Sequence, residues 1–312
     1  MLTYRRAESE GVSPLRRWSW TILKVLEIIL IYKEKPAAIW LRAFLLIYSR
    51  IDSRIDVNKI IWGIGMECKK TATESFIELD GGYKLFTKTI GQSNGNPTVV
   101  MEAGYGDFSN AWDKIIPEIA KLTKVFVYDR AGLGTSEKSP NPRTSKEMVK
   151  ELNELLTKAC LKPPYILVGH SFGGLNVRLY TSEFPIEVAG VILVDSTPED
   201  YKERFLPTMS AEFQEAYNKQ FVHEGTYEEF MESLNQIKQS QRHLGSVPVI
   251  VLSAGKKAHY SPKSQALWHE LQKEILNISD DSELIIAHNS AHYIQHDEPE
   301  IVISAIKRLL QK

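Results

Sequence analysis

The stretch YILVGHSFGG, residues 165–174, takes an almost wholly apolar run straight into a serine set between glycines. The run is short and rich in β-branched and aromatic side chains, which suits a buried strand. Residues 173–181 then carry apolar positions at helical spacing. A chain that passes from strand to helix at one residue must strain that residue's backbone, and its neighbours must be nearly hydrogen-sized. Gly169 and Gly173 meet that need. The pattern predicts a nucleophile elbow, with the Ser171 hydroxyl projecting from a sheet edge and the amino end of a helix beneath it. A Gly-x-Ser-x-Gly match alone is common by chance. The competing reading is a structural serine in an ordinary turn, and the strand–turn–helix setting is what disfavours it.

On either side the texture is that of an α/β domain. Residues 98–102 (TVVME), 125–129 (VFVYD), 190–195 (GVILVD), 248–253 (PVIVLS) and 283–287 (ELIIA) read as buried strands. Helices are expected over 111–122, 143–159, 262–276 and 299–310. Strands at 75–79 and 83–89 flank Asp80, Gly81 and Gly82, a hairpin turn signal. Apolar strands alternating with helices predict a mostly parallel sheet covered on both faces. The alternation breaks over 196–245, where helical stretches at 211–221 and 227–244 have no strand between them. That segment reads as a small helical cap inserted after the sixth strand, over the carboxyl edge where open α/β sheets place their sites. The expected organisation is an N-terminal helical region over 1–70, a core formed by 74–195 and 246–312, and a cap over 196–245.

An activated serine needs a base, and in this order of elements the base follows the last strand. His288, His292 and His296 compete there. His292 sits in a loop of small residues able to reach back over the sheet, so it is the expected general base. His170, beside the serine on the elbow, points elsewhere and reads as a packing residue. The acid that orients the imidazole is harder to find. The loop after 248–253, residues 254–259 (AGKKAH), holds no carboxylate. Asp195 closes an apolar strand, where a carboxylate is costly to bury without a partner, and it is the preferred acid. Asp281 and Asp297 are the alternatives. Asp129 also ends a strand, but Arg130 beside it suggests a structural pair. Two backbone donors should face the developing oxyanion. These are the N–H of Phe172, just after the serine, and the N–H of Tyr105, in the turn Gly104-Tyr105-Gly106 that follows 98–102.

Composition limits the partners. The 312-residue chain carries 38 basic and 39 acidic side chains, so it lacks the concentrated positive footprint that nucleic acid binding requires. No metal-ligand spacing appears, and no cofactor is needed for the chemistry above. Cys68 and Cys160 are too few for a disulfide framework and read as free thiols. Residues 15–32 and 36–48 are strongly apolar but are interrupted by Lys24, Glu27 and Arg42, which makes them too short for a clean membrane span. Trp18, Trp20 and Trp40 with flanking arginines suit a membrane interface. Contact of residues 15–50 with a membrane surface and packing on a protein surface both stay open. The expected location is the cytoplasm or the cytoplasmic face of a membrane.

The segments MEAGYG (101–106), VYDRAGLGTS (127–136), GHSFGG (169–174), VILVDS (191–196) and SAHYIQHDEPE (290–300) resemble those of the α/β-hydrolase superfamily. Within it they are most similar to small-capped esterases, haloalkane dehalogenases and proline iminopeptidase-like enzymes. The resemblance spans about residues 76–310. It implies that Gly104 matches the glycine of the family's His-Gly oxyanion motif, with Ala103 where histidine is usual. It also implies a structural loop over 129–136, and an acid at Asp195 as in part of the superfamily. Dehalogenases and soluble epoxide hydrolases of this fold use an aspartate nucleophile, and Ser171 argues against both. The expected function is hydrolysis of a small-molecule ester, hydrophobic or lipid-like, through an acyl-enzyme. An amidase or aminopeptidase and a non-catalytic ligand-binding member of the fold are the rivals. Glu203, Glu212, Glu215, Glu224, Glu228, Glu229 and Glu232 read as the solvated face of the cap.

Overall fold

Gly82, at φ +77°, closes the turn between strands β1 (Glu74–Glu78) and β2 (Lys84–Ile90), which pair antiparallel from Glu74↔Lys88 to Glu78↔Lys84. The computed structural model describes residues 74–240 and 243–312. The helical region expected over 1–70, including the segment 15–50 with its two open readings, lies outside them. The remaining strands are β3 (Thr98–Glu102), β4 (Val125–Tyr128), β5 (Tyr165–His170), β6 (Val188–Val194), β7 (Val249–Ala254) and β8 (Ser282–Ala287). They form one sheet in the order β1-β2-β4-β3-β5-β6-β7-β8. Pairing is parallel from β4 to β8, and β2 joins β4 antiparallel. This is the mostly parallel α/β-hydrolase architecture that the sequence predicts.

The longer helices, in chain order, are α1 (Ser145–Lys158), α2 (Gly173–Glu183), α3 (Ala211–Lys219), α4 (Tyr227–Gln239), α5 (Pro262–Glu274) and α6 (Pro299–Leu309). Successive strand residues point to opposite faces, and the core divides accordingly. Val100 and Leu167 pack with Val149, Leu152 and Leu175 from α1 and α2. Val99, Met101, Ile166 and Val168 pack with Trp112 and with Val302 and Ile306 of α6 on the other face. Both faces are therefore covered, which is why these strands are largely apolar on both faces.

Residues 111–122 do not form the single helix expected from their apolar spacing. A 3-10 turn, Ser109–Trp112, and a one-turn helix, Ile116–Ile119, take its place. Pro117 has no N–H and disfavours helical backbone before it, so the segment is broken there. Cys160 also differs from expectation. It lies half-buried on the turn after α1 and is disulfide-bonded rather than a free thiol. Cys68 lies outside the described residues.

Between β6 and β7 the chain makes a π-helical turn, Tyr201–Phe205, and a 3-10 turn, Leu206–Thr208, before α3 and α4. Ser210 caps α3 by accepting from the Phe213 N–H at 3.3 Å, and Thr226 and Glu229 form a reciprocal capping box at α4. Tyr201, Phe205, Leu206 and Met209 pack on Trp268 and Leu271 of α5, so this insertion has its own small core over the carboxyl edge.

Helix α2 reaches the sheet because Gly173 has no side chain. A Cβ there would stand 2.5 Å from the carbonyl oxygens of both Glu102 and Ala103. Gly173→Ala is therefore expected to lower the thermal midpoint by several degrees, following an overpacking cost of about 1–3 kcal/mol. An unchanged melting curve would mean that the backbone yields there without strain.

Candidate active site

Ser171 has φ +51°, in the left-handed region that a non-glycine residue adopts only when its surroundings hold it there. Two contacts hold it. Its N–H donates to Val194 O at 3.0 Å, and its carbonyl accepts from the Thr197 N–H at 3.1 Å. Gly169 completes the turn, because a Cβ there would meet Gly173 O at 2.6 Å. The serine thus stands on a strained strand-to-helix corner at the carboxyl edge of the sheet.

Asp195 comes next along that edge. It also has a left-handed backbone, φ +44°, and its N–H donates to Leu252 O at 2.7 Å. Its side chain is fully buried and its oxygens are saturated with donors. Oδ1 accepts from the Ala254 N–H at 3.0 Å and from Trp268 Nε1 at 2.7 Å. Oδ2 lies 2.6 Å from His292 Nδ1 and 2.6 Å from Lys257 Nζ. Burial alone would raise this carboxyl, but Lys257 and the His292 N–H hold it well below the usual carboxylate range.

His292 reaches both partners from the loop after β8. Its Nε2 lies 2.9 Å from Ser171 Oγ. With Nδ1 bound to a carboxylate as the donor, Nε2 is the free acceptor for the serine proton. The loop is braced by Asp297, which accepts from the Ala291 N–H at 2.8 Å, and by Glu298, which accepts from Asn289 N at 3.0 Å and Ser290 Oγ at 2.7 Å. The structure therefore brings Ser171, His292 and Asp195 together. The alternatives lie elsewhere: His288 is exposed, His296 bonds to Ala111 O, Asp297 braces the loop, and exposed Asp281 pairs with Lys312.

His170 lies beside His292. Its Nε2 is 3.0 Å from His292 O, and its ring sits 4.7 Å from the His292 ring. Burial, and secondarily His292, lower its basicity well below that of a free imidazole.

The loop after β3 is held by a buried charge cluster that sequence reading assigned differently. Arg130 pairs with Glu102 and Glu224, not with Asp129. Asp129 instead accepts backbone N–H groups from Ser109 and Thr135, both at 3.0 Å. Arg130 also donates to Ala103 O at 2.7 Å and to Gly104 O at 2.5 Å. A trans peptide aims its N–H opposite its carbonyl, so the Tyr105 N–H is turned away from Arg130. Neither Tyr105 N–H nor Phe172 N–H donates to another described residue. Glu224 departs from the expected solvated face of the cap. It is buried, pairs with Arg130, and accepts from the Gly106 N–H at 3.2 Å. Tyr105 Oη adds a second tie, bonding to both N and O of Gly225 at 3.0 Å.

A cavity of about 330 Å³ opens beside Ser171 and His292. Its wall is mainly aromatic, including Tyr105, Phe172, Tyr217, Phe221, Tyr260 and Trp268. Among the described residues, no group of His, Cys, Asp or Glu is arranged to hold a metal ion, and no helix is long and apolar enough to cross a membrane.

Sheet order, strained serine and paired imidazole together define a hydrolase-type site on an α/β scaffold. The family described as alpha/beta hydrolase fold matches residues 97–228. The uncharacterized protein YqjL of Bacillus subtilis (strain 168) is 39% identical over 210 residues, covering 67% of this chain and 81% of the relative. An AB hydrolase superfamily protein of Gibberella zeae is 23% identical over 278 residues, covering 69% of this chain and 86% of that one. A thermophilic esterase from Thermogutta terrifontis superposes with a TM-score of 0.54 at 19% identity, over 77% of this chain and 98% of its own. The chain belongs to the α/β-hydrolase superfamily and is a hydrolase of that fold.

His170 supplies a stability test. A histidine whose basicity is depressed by folding binds its proton more readily in the unfolded chain, so stability is lost as pH falls below the unfolded value of about 6.5. Below that pH, urea unfolding of wild type should lose up to about 1.4 kcal/mol per pH unit more than His170→Gln. Parallel slopes would mean that His170 takes a proton in the folded protein as easily as in the unfolded one.

Proposed function

We propose that the protein is a serine hydrolase that cleaves carboxylic esters bearing a compact apolar group, through an acyl-enzyme. The observation that carries this reading is the pair of contacts on one imidazole, with Ser171 Oγ at 2.9 Å from Nε2 and Asp195 at 2.6 Å from Nδ1. In the proposed reaction His292 Nε2 takes the hydroxyl proton as Ser171 Oγ bonds to the ester carbonyl carbon. The N–H groups of Tyr105 and Phe172 donate to the resulting oxyanion. Collapse of the tetrahedral adduct breaks the bond to the alcohol oxygen, which leaves with the proton from His292. Water then adds to the acyl-enzyme by the same route, and release of the acid restores Ser171. Asp195 keeps Nδ1 protonated throughout.

The cavity supports the substrate class. Its volume is near the lower end of the ~300–1,000 Å³ of small-molecule sites, and its aromatic wall favours an apolar acyl or alcohol group. The aminopeptidase alternative needs carboxylates placed to take a peptide's amino group. Asp107, from the loop after β3, is the one carboxylate on the cavity wall among the described residues, and the cap contributes none. An ester is therefore preferred over a peptide.

Hydrolysis of p-nitrophenyl esters from acetate to palmitate tests both parts. Ser171→Ala should reduce turnover by at least about 10³-fold, and wild type should favour short and middle-length acyl chains over palmitate. Turnover that survives the substitution would remove the serine mechanism. A preference for palmitate would mean that the cavity opens well beyond the size described.

A further inference from the structure

The position where this fold offers a second place for the triad acid, the loop after β7, holds a lysine. Lys257 is directed inward. Its side chain is 6% exposed, and its Nζ lies 2.6 Å from Asp195 Oδ2, the oxygen that also bonds His292 Nδ1. The ammonium sits 3.4 Å from the centre of the Trp268 ring and 3.3 Å from Tyr260 Oη. The loop holding it is pinned to the histidine loop through Lys256 N donating to Ser290 O at 2.9 Å, and to α5 through Lys257 N and Gln265 Oε1. Trp268 in turn donates to the other oxygen of the same carboxylate. One buried carboxylate thus serves two cationic or potentially cationic donors.

We propose that Lys257 is a positioning residue of the reaction, acting through Asp195 to limit how strongly that carboxylate favours a protonated His292. This rests on the serine-hydrolase reading above. A carboxylate alone against an imidazole stabilises the imidazolium, in the free enzyme as well as in the transition state. A second cation on the same oxygen offsets part of that attraction and adds direct repulsion. Asp195 meanwhile stays ionised and fixed, because its charge is compensated whether or not His292 carries a proton.

The other groups facing His292 do not supply this effect. From the end of β5, His170 is held uncharged by burial. From its own loop, Tyr293 presents a ring 5.6 Å away, a phenol raised by burial and by nearby Asp107 and therefore neutral. Asp297 is engaged with the Ala291 N–H. Tyr201 of the cap and Tyr260 are phenols raised by burial, neutral in the working range. Asp195 and Lys257 are the charges in contact. Burial lowers the Lys257 ammonium below the ordinary lysine range, and Asp195, in direct contact at 2.6 Å, offsets part of that.

The test is the pH dependence of kcat/KM for p-nitrophenyl butyrate, read at the isosbestic wavelength of p-nitrophenol. It uses the full chain as wild type, Lys257→Met, Lys257→Gln and Lys257→Arg, with Ser171→Ala as the background. Lys257→Met keeps the stem that packs on Trp268, and Lys257→Gln keeps a donor toward Asp195 should the methionine variant fail to fold. Removing the charge should move the acid limb toward higher pH by about one unit or more, while Lys257→Arg should keep it within a few tenths of wild type. An acid limb unmoved in the uncharged variants overturns the proposal, and so does an equal movement in all three, which would mark a packing effect. Loss of Ser171-dependent turnover in wild type would overturn the serine mechanism and this proposal together. Ser171-dependent turnover with an unmoved limb removes the role of Lys257 alone.

Discussion

The close approach of helix α2 to the end of β3 is the constraint on which the site depends. Gly173 lies against the carbonyl oxygens of Glu102 and Ala103, and Gly169 against Gly173 itself, with no room for a methyl group at either. That approach forces the chain to turn at a single residue, and the turn gives Ser171 its left-handed backbone. It also sets the Phe172 N–H at the start of a helix, beside the loop that carries Tyr105. The strain is local. It is held by backbone hydrogen bonds to β6 and to Thr197, so the sheet itself keeps the serine in its unfavourable conformation.

A second dependence runs through buried charge. Arg130 is surrounded by Glu102, Glu224 and the carbonyls of Ala103 and Gly104. Burial pushes the Glu102 carboxyl up, while Arg130 and the Tyr128 hydroxyl pull against it. Such a cluster is a weak source of net stability, but removing one member leaves an uncompensated charge in the interior. Its value here is geometric. It fixes the orientation of successive peptides in the loop after β3, and it does so with one carboxylate drawn from the segment above the sheet. The loop and that segment therefore cannot separate at Glu224 without exposing or orphaning a guanidinium.

What was legible in the sequence followed from short-range pattern. Short apolar runs and glycine placement located the strands, the β1–β2 turn and the elbow, because those features are set by neighbours along the chain. The segment around Pro117 was misread because apolar spacing outweighed a residue that cannot continue a helix. Arg130 was assigned to its neighbour Asp129, yet its partners come from β3 and from the insertion, distances along the chain that no local pattern reports. Glu224 sits among glutamates of identical type, five of which, Glu203, Glu212, Glu215, Glu228 and Glu232, are exposed. Only the fold distinguishes it.

The same limit explains the acid and its lysine. Read along the chain, the loop after β7 was noted for lacking a carboxylate, and Lys257 was passed over as one of two adjacent lysines on a loop. Read across the sheet, the absence and the lysine belong to one arrangement. Parallel strands in register bring the ends of β6, β7 and β8 side by side, so a carboxylate at the first can be met from the second and the third. With the carboxylate just after β6, the β7 loop is free to carry a different group, and a carboxylate this deeply buried favours a cation there. A second carboxylate in that place would put like charges on a dry site and drive one of them to protonate. The carboxylate at the end of β6 and the buried lysine after β7 thus answer one electrostatic requirement at the edge of the sheet.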